Sequence, residues 1–244
     1  MTSSVRARAV RAALGRLADT DRATSSSRFF RAGKGGYGAG DRFLGVRVPD
    51  QRRVARQYHD LPLGEIERLL QDRFHECRLT ALLILVAQFE HGDRRGRRKL
   101  VDLYLRNLER VNNWDLVDSS AGKILGAWLA DRDRGILVRL ATSDDLWKQR
   151  VAIIATSYFI AHGEFEPTLE IAEILINHEH DLIHKAVGWM LREVGKKDPG
   201  LLEAFLGKHY QTMPRTMLRY AIEKFSEERR QDYLRGKVEP RARS

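Results

Sequence analysis

The sequence predicts an all-α protein built as a HEAT-like helical repeat, a solenoid of paired helices curved into a horseshoe with a basic concave face. Three observations carry that expectation. Apolar residues recur at helical spacing along almost the whole chain after Pro49. Only 6 of the 244 residues are proline and long stretches lack turn clusters, whereas an all-β sandwich needs turn signals every ~8–12 residues. Finally, a polar, charged or tryptophan residue breaks the apolar stripe at Arg78, Asp118, Arg150 and Trp189, in steps of 40, 32 and 39 residues. Those steps lie near the ~40–47-residue period of HEAT-type repeats. Each breaking residue falls on the second helix of a pair, the one that lines the inner face of a solenoid. No heptad is sustained, which sets a coiled coil aside.

Taken in order, Val5, Val10, Leu14 and Leu17 define an opening amphipathic helix, and Arg22–Ser27 reads as a polar turn before Phe29 and Phe30. Residues 33–41 form a glycine-rich stretch in which each glycine would cost a helix ~1 kcal/mol. They predict an exposed loop or short β-hairpin tipped by Lys34 and Tyr37. Helices are then expected over 49–59, 63–72, 75–90, 93–109, 112–130, 132–141, 144–161, 166–177, 181–195, 199–207, 214–224 and 226–234. Breakers separate them at Gly92-Asp93, His162-Gly163, Asp198-Pro199 and Pro214. This gives a single repeat domain over 1–234 and a basic, disordered tail over 235–244.

Forty-three Lys and Arg against 33 Asp and Glu leave a formal charge of +10, a field that attracts polyanions. Nucleic acid is the leading partner, since cations neutralise phosphates and release condensed counterions. No run approaches the ~20 apolar residues of a membrane span. The N-terminal stretch has no apolar h-region and no small-residue cleavage site, so a secretory signal is not expected. A lone cysteine, Cys77, suits a reducing cytoplasm and reads as packing.

Three clusters carry the candidate chemistry. On the helix around 181–195, Ile183, Ala186, Val187, Met190, Leu191 and Val194 form one apolar face. Trp189 points roughly 130° from its centre, beside Lys185 and Arg192. It is either a surface indole packed by cations or a neighbouring helix, or a ligand contact. Trp114 and Asp118 stand four residues apart and share a face. A semi-buried Asp118 needs a partner, as a cap, in an ion pair or in a reaction. In Leu146-Trp147-Lys148-Gln149-Arg150, the arginine falls between apolar rows, so its head must reach an anion, either Asp118 or a phosphate. His178, His180 and His184 have metal-like spacing, but nothing completes a site. Gly33–Gly40 lacks the Gly-Lys-Ser/Thr ending of a nucleotide-binding loop.

Four segments, taken together and in this order, resemble the AlkD-type DNA alkylation repair glycosylases. They are Phe43-Leu44-Gly45-Val46-x-x-Pro49, Asn113-Trp114-Asp115-x-Val117-Asp118, Trp147-x-Gln149-Arg150-x-Ala152-Ile153 and Lys185-Ala186-x-Gly188-Trp189-x-Leu191-Arg192-Glu193. The resemblance spans residues 28–225. It implies a monomeric, nucleoid-associated enzyme that embraces double-stranded DNA and hydrolyses the N-glycosidic bond of cationic N3- or N7-alkylated purines. The base stays stacked, and no metal or cofactor takes part. By position, Asp118 matches the catalytic carboxylate, Trp114 and Trp189 the tryptophans against the deoxyribose, and Arg150 the arginine on backbone phosphate. Lys148, Lys185 and Arg192 are expected along the same DNA path. The 33–41 insert departs from the best-known members and resembles the hairpin of paralogues that favour branched DNA. The alternative function is therefore a weakly catalytic or non-catalytic binder of branched or distorted DNA that uses Lys34 and Tyr37 as a probe.

Overall fold

The computed structural model describes residues 6–238, and every described element is helix or turn apart from one isolated bridge between Arg42 and Phe74. The chain is an all-α helical repeat protein. It divides into two compact units, Met1–Trp128 and Leu129–Ser244.

In the first unit, α1 (Ala7–Gly15) buries Val10, Ala13 and Leu14, and its first amide is capped by Glu65 at 2.9 Å. Val5, assigned to this helix from the sequence, lies outside the described residues. The next element corrects the sequence reading, because Arg22–Ser27 is not a turn but the body of α2 (Thr20–Phe29). Asp19 caps this helix by accepting from the Arg22 amide at 2.9 Å, and the Thr24 and Ser25 hydroxyls donate back to the carbonyls four residues earlier. No α2 residue is buried. The Asp19 cap at its start and the contacts of Phe29 and Phe30 with Trp114 at its end therefore hold a polar helix that hydrophobic periodicity could not show.

α3 (Val48–Gln57) and α4 (Leu63–Leu70) follow and pack on α5 (His75–His91). α5 is buried on nearly every side, from His75, Glu76 and Cys77 through Phe89, as expected of a helix enclosed by others. Cys77 is fully buried, and burial pushes its thiol pKa up, in line with a packing role. Asp93 caps α6 (Arg94–Arg106) through the Gly96 amide at 2.7 Å. A 3-10 turn (Leu108–Arg110) leads to α7 (Trp114–Ala121), which continues into a π turn (Gly122–Gly126). The single helix expected over 112–130 thus contains a change of winding at Gly122, one turn after Asp118.

The second unit holds α8 (Gly135–Ala141), α9 (Leu146–Ala155), α10 (Ser157–Ala161), α11 (Glu166–Ile174), α12 (Asp181–Lys197), α13 (Pro199–His209), α14 (Arg215–Ala221) and α15 (Glu227–Arg235). The helix expected over 144–161 breaks at Thr156, whose hydroxyl bonds the Ile153 carbonyl at 2.7 Å. α12 is the hub, packing on α9, α10, α11, α13 and α14. Gly188 makes its contact with α14 possible: a Cβ there would stand 2.5 Å from the Met217 carbonyl oxygen. Gly236 ends α15 in the left-handed region, and the Val238 carbonyl accepts from the Tyr210 hydroxyl at 2.7 Å. The tail expected from 235 is therefore packed through Val238; residues 239–244 lie outside the described chain.

Candidate functional site

Trp114 and Asp118 open the site in the first unit, four residues apart on α7, and both are half-buried. The base of α7 is fixed by side chains. Asn113, fully buried, accepts from the Trp114 amide at 2.9 Å and donates to Asp41 at 3.3 Å. Asp115 accepts from the Leu116 amide at 2.9 Å and from His75 Nε2 at 2.8 Å. The opposite ring nitrogen, His75 Nδ1, lies 3.1 Å from Asp41, whose other oxygen accepts from Arg78 at 2.6 Å.

A ring with carboxylates at both nitrogens is an imidazolium. Burial alone would strip its charge. The hydrogen bond and attraction of Asp115, followed by Asp41, outweigh burial and raise the pKa to about 9. Asp41 is held below the usual carboxylate range: burial opposes this, and His75 and Arg78 overcome it.

The same imidazolium enters an aromatic stack that reaches Trp114. His75 lies 4.8 Å from Phe30 and 5.0 Å from Phe43, while Phe30 stacks on Trp114 at 5.4 Å and Phe29 meets its edge at 5.9 Å. Glu76 supports the wall behind them. Its carboxylate accepts from the amides of Leu44, Gly45 and Val46 at 2.9, 2.8 and 3.3 Å. Gly45 has φ +79°, and a Cβ there would stand 2.1 Å from the Asp19 carbonyl oxygen. The Asp118 charge is felt at the buried Tyr104 hydroxyl, whose pKa is raised first by burial and then by Asp118. That hydroxyl bonds Ser120 at 3.1 Å.

The glycine-rich insert proves to be a chain of turns and contains no strand, so the hairpin alternative is corrected to a loop. Lys34 is exposed at its tip. Tyr37 folds back, its hydroxyl donating to the Phe29 carbonyl at 3.2 Å and its ring under the Arg31 guanidinium at 5.9 Å. The loop's structural product is Asp41, delivered to His75 and Arg78.

In the second unit, Asp145 caps α9 through the amides of Trp147 and Lys148 at 2.8 and 3.1 Å. Arg150 is 5% exposed, and its guanidinium donates to the Leu182 carbonyl at 2.6 Å. The structure places it against the first turn of α12, a partner the sequence reading did not include. The three histidines also find work there. His180 caps α12 by accepting from the Leu182 amide at 3.1 Å, His178 accepts from the His180 amide at 2.9 Å, and His184 bonds the His178 carbonyl. No cluster able to hold a metal ion occurs among the described residues.

Trp189 is half-buried on α12, its indole N–H donating to Glu193 at 3.1 Å. Glu193 also binds Arg192 at 3.1 Å and Lys196 at 2.8 Å, and Arg192 reaches Glu223. Lys185 pairs with Asp181 at 2.7 Å, and Lys148 stands 3.9 Å from Asp145. The expected DNA cations of α12 are thus engaged by neighbouring carboxylates.

The model of the family described as "DNA alkylation repair enzyme" matches residues 10–225. The chain belongs to that family. Among solved structures it is similar to a predicted DNA alkylation repair enzyme from Enterococcus faecalis, with a TM-score of 0.69 and 18% identity over 86% of this chain and 98% of the other. That likeness is one of fold. None of the curated proteins matches. Among the described residues of this family member, no helix is long and apolar enough to cross a membrane.

Sequence reasoning missed His75, Asp41, Asp115, Phe29 and Phe30 as parts of the site. The available signals were the aromatic pair just before the glycine-rich loop and the place of Asp115 in the segment Asn113–Asp118, which carried no role for it.

Proposed function

We propose that this family member is a DNA glycosylase that hydrolyses the N-glycosidic bond of cationic N3- and N7-alkylated purines in duplex DNA. The observation that carries the reading is the shared face of α7, where a half-buried carboxylate stands one turn from a half-buried indole. That indole is braced on its own side by Phe29 and Phe30.

The chemistry follows from charge. As the C1′–N bond breaks, its electron pair stays with the purine, which leaves neutral without needing a proton donor. Positive charge develops on the sugar. The electron-rich face of Trp114 and the carboxylate of Asp118, side by side on α7, stabilise it. Water then forms the new C1′–O bond, and Asp118 orients it and takes its proton. Because the alkylated base needs no protonation, it can react while still stacked. Exposed Lys34 and half-buried Lys148 contribute to phosphate attraction. Arg150 acts through the start of α12, which carries Lys185, Trp189 and Arg192.

The test is release of N3-methyladenine and N7-methylguanine from alkylated duplex by the wild type and by Asp118→Asn. A loss of about 100-fold or more is expected, the scale of one transition-state charge contact. An unchanged rate in Asp118→Asn removes the mechanism.

A further inference from the structure

A cavity of about 440 Å³ opens in the first unit beside Trp114, within the ~300–1,000 Å³ of sites that hold small organic groups. Phe29 and Phe30 come to it from α2, Phe43 from the segment after the glycine-rich loop, and Val48 and Gln51 from α3. Phe29 is 65% exposed and Val48 44%, so two large apolar side chains left to solvent line one opening.

Gln51 adds a polar demand. Its amide nitrogen donates to the Val46 carbonyl at 2.8 Å, which fixes which end of the amide is oxygen. That oxygen is buried in the wall and accepts no hydrogen bond among the described residues. An acceptor left this way is costly, and a ligand N–H would relieve it. Arg22 and Arg47 also border the cavity. Arg22 is held by Gly45 and Asp19, while Arg47 is exposed. A flat aromatic group that arrives on a phosphate chain therefore meets positive charge at the mouth, ring faces on the walls and one acceptor.

Resting on the reading above that this chain binds duplex DNA, we propose that the cavity receives an unpaired nucleobase of that DNA. The base stacks on the phenylalanine wall and donates an N–H of its pairing edge to Gln51. Stacking on aromatic side chains tolerates any base, because every base has a π-face. The captured base is distinct from the alkylated purine, which stays in the helix during the proposed reaction.

The test measures affinity of the full chain by fluorescence anisotropy for four duplexes of equal length. One is fully paired, and the others carry a single bulged dA, a bulged unsubstituted purine that lacks the amino group, or a bulged abasic nucleotide. The dA bulge should bind roughly tenfold tighter than the abasic bulge, with the unsubstituted purine in between. Phe29→Ala, at an exposed position, should bring the dA-to-abasic ratio close to one. Gln51→Leu should erase only the gap between dA and unsubstituted purine. Equal affinity for the dA and abasic bulges means that distortion alone is read, and it overturns the proposal. So does a ratio unchanged in Phe29→Ala. In both cases binding to the fully paired duplex reports that the DNA reading still stands. No binding to any of the four overturns both.

Discussion

His75 should make the first unit sensitive to alkaline pH, and the size of the effect follows from its two carboxylates. Its folded pKa of about 9 lies above the 6.5 of a free imidazole. The folded state holds the proton more tightly, so the network's contribution is complete below pH 6.5 and is lost as the pH rises through 9. The gap corresponds to on the order of 3 kcal/mol. The charged groups that face the ring are Asp41 and Asp115, and the Arg78 guanidinium, held nearby on Asp41's other oxygen, opposes its charge by repulsion.

The perturbation is His75→Gln, which keeps a donor and removes the charge. Urea unfolding of both proteins at pH 7 and pH 10.5 gives the assay. Other groups titrate across this interval, so the quantity read is the stability difference between the two proteins. At pH 7 the variant should be weaker by about 3 kcal/mol, since two buried carboxylates lose their shared cation. At pH 10.5 the two should converge to within about 1 kcal/mol. A difference that stays the same at both pH values refutes an imidazolium between Asp41 and Asp115.

Other outcomes test separate parts of the structure. Gly45→Ala combines positive φ with a Cβ 2.1 Å from the Asp19 carbonyl, and should destabilise by about 2–4 kcal/mol in thermal unfolding. Gly188→Ala meets the Met217 carbonyl at 2.5 Å; it should cost about 1–3 kcal/mol by forcing α14 away, read in the same assay. Glu193→Gln keeps an acceptor for the Trp189 indole while releasing Lys196 and leaving Arg192 only its pair with Glu223. Its affinity for duplex should rise at low salt, and the slope of log K against log salt should steepen by roughly 0.9 for each added phosphate contact. An unchanged slope would show that these cations lie off the DNA path.

The helical character of the chain was legible because burial of one face leaves a period of 3.6 residues, and breakers such as Asp93 and the Asp198-Pro199 pair act on their immediate neighbours. Trp114 and Asp118 were legible for the same reason, since a spacing of four places two side chains on one face of any helix. α2 was not legible from apolar spacing, because none of its residues is buried and it is held by the Asp19 cap at one end and aromatic contacts at the other. The site's charges were hidden more deeply. His75 meets partners 34 residues before it and 40 after it, and nothing in the local sequence of Asp41 or Asp115 marks either one as a partner of a histidine. Arg150 likewise answers to a carbonyl 32 residues away, although its position between apolar rows showed that it needed some acceptor. Sequence marked Trp114, Asp118, Arg150 and Trp189 as neither ordinary core nor ordinary surface, and left His75, Asp41 and Asp115 unmarked. The tertiary structure decided what each one touches, because electrostatic and hydrogen-bond partners are chosen by proximity in space and carry no period along the chain.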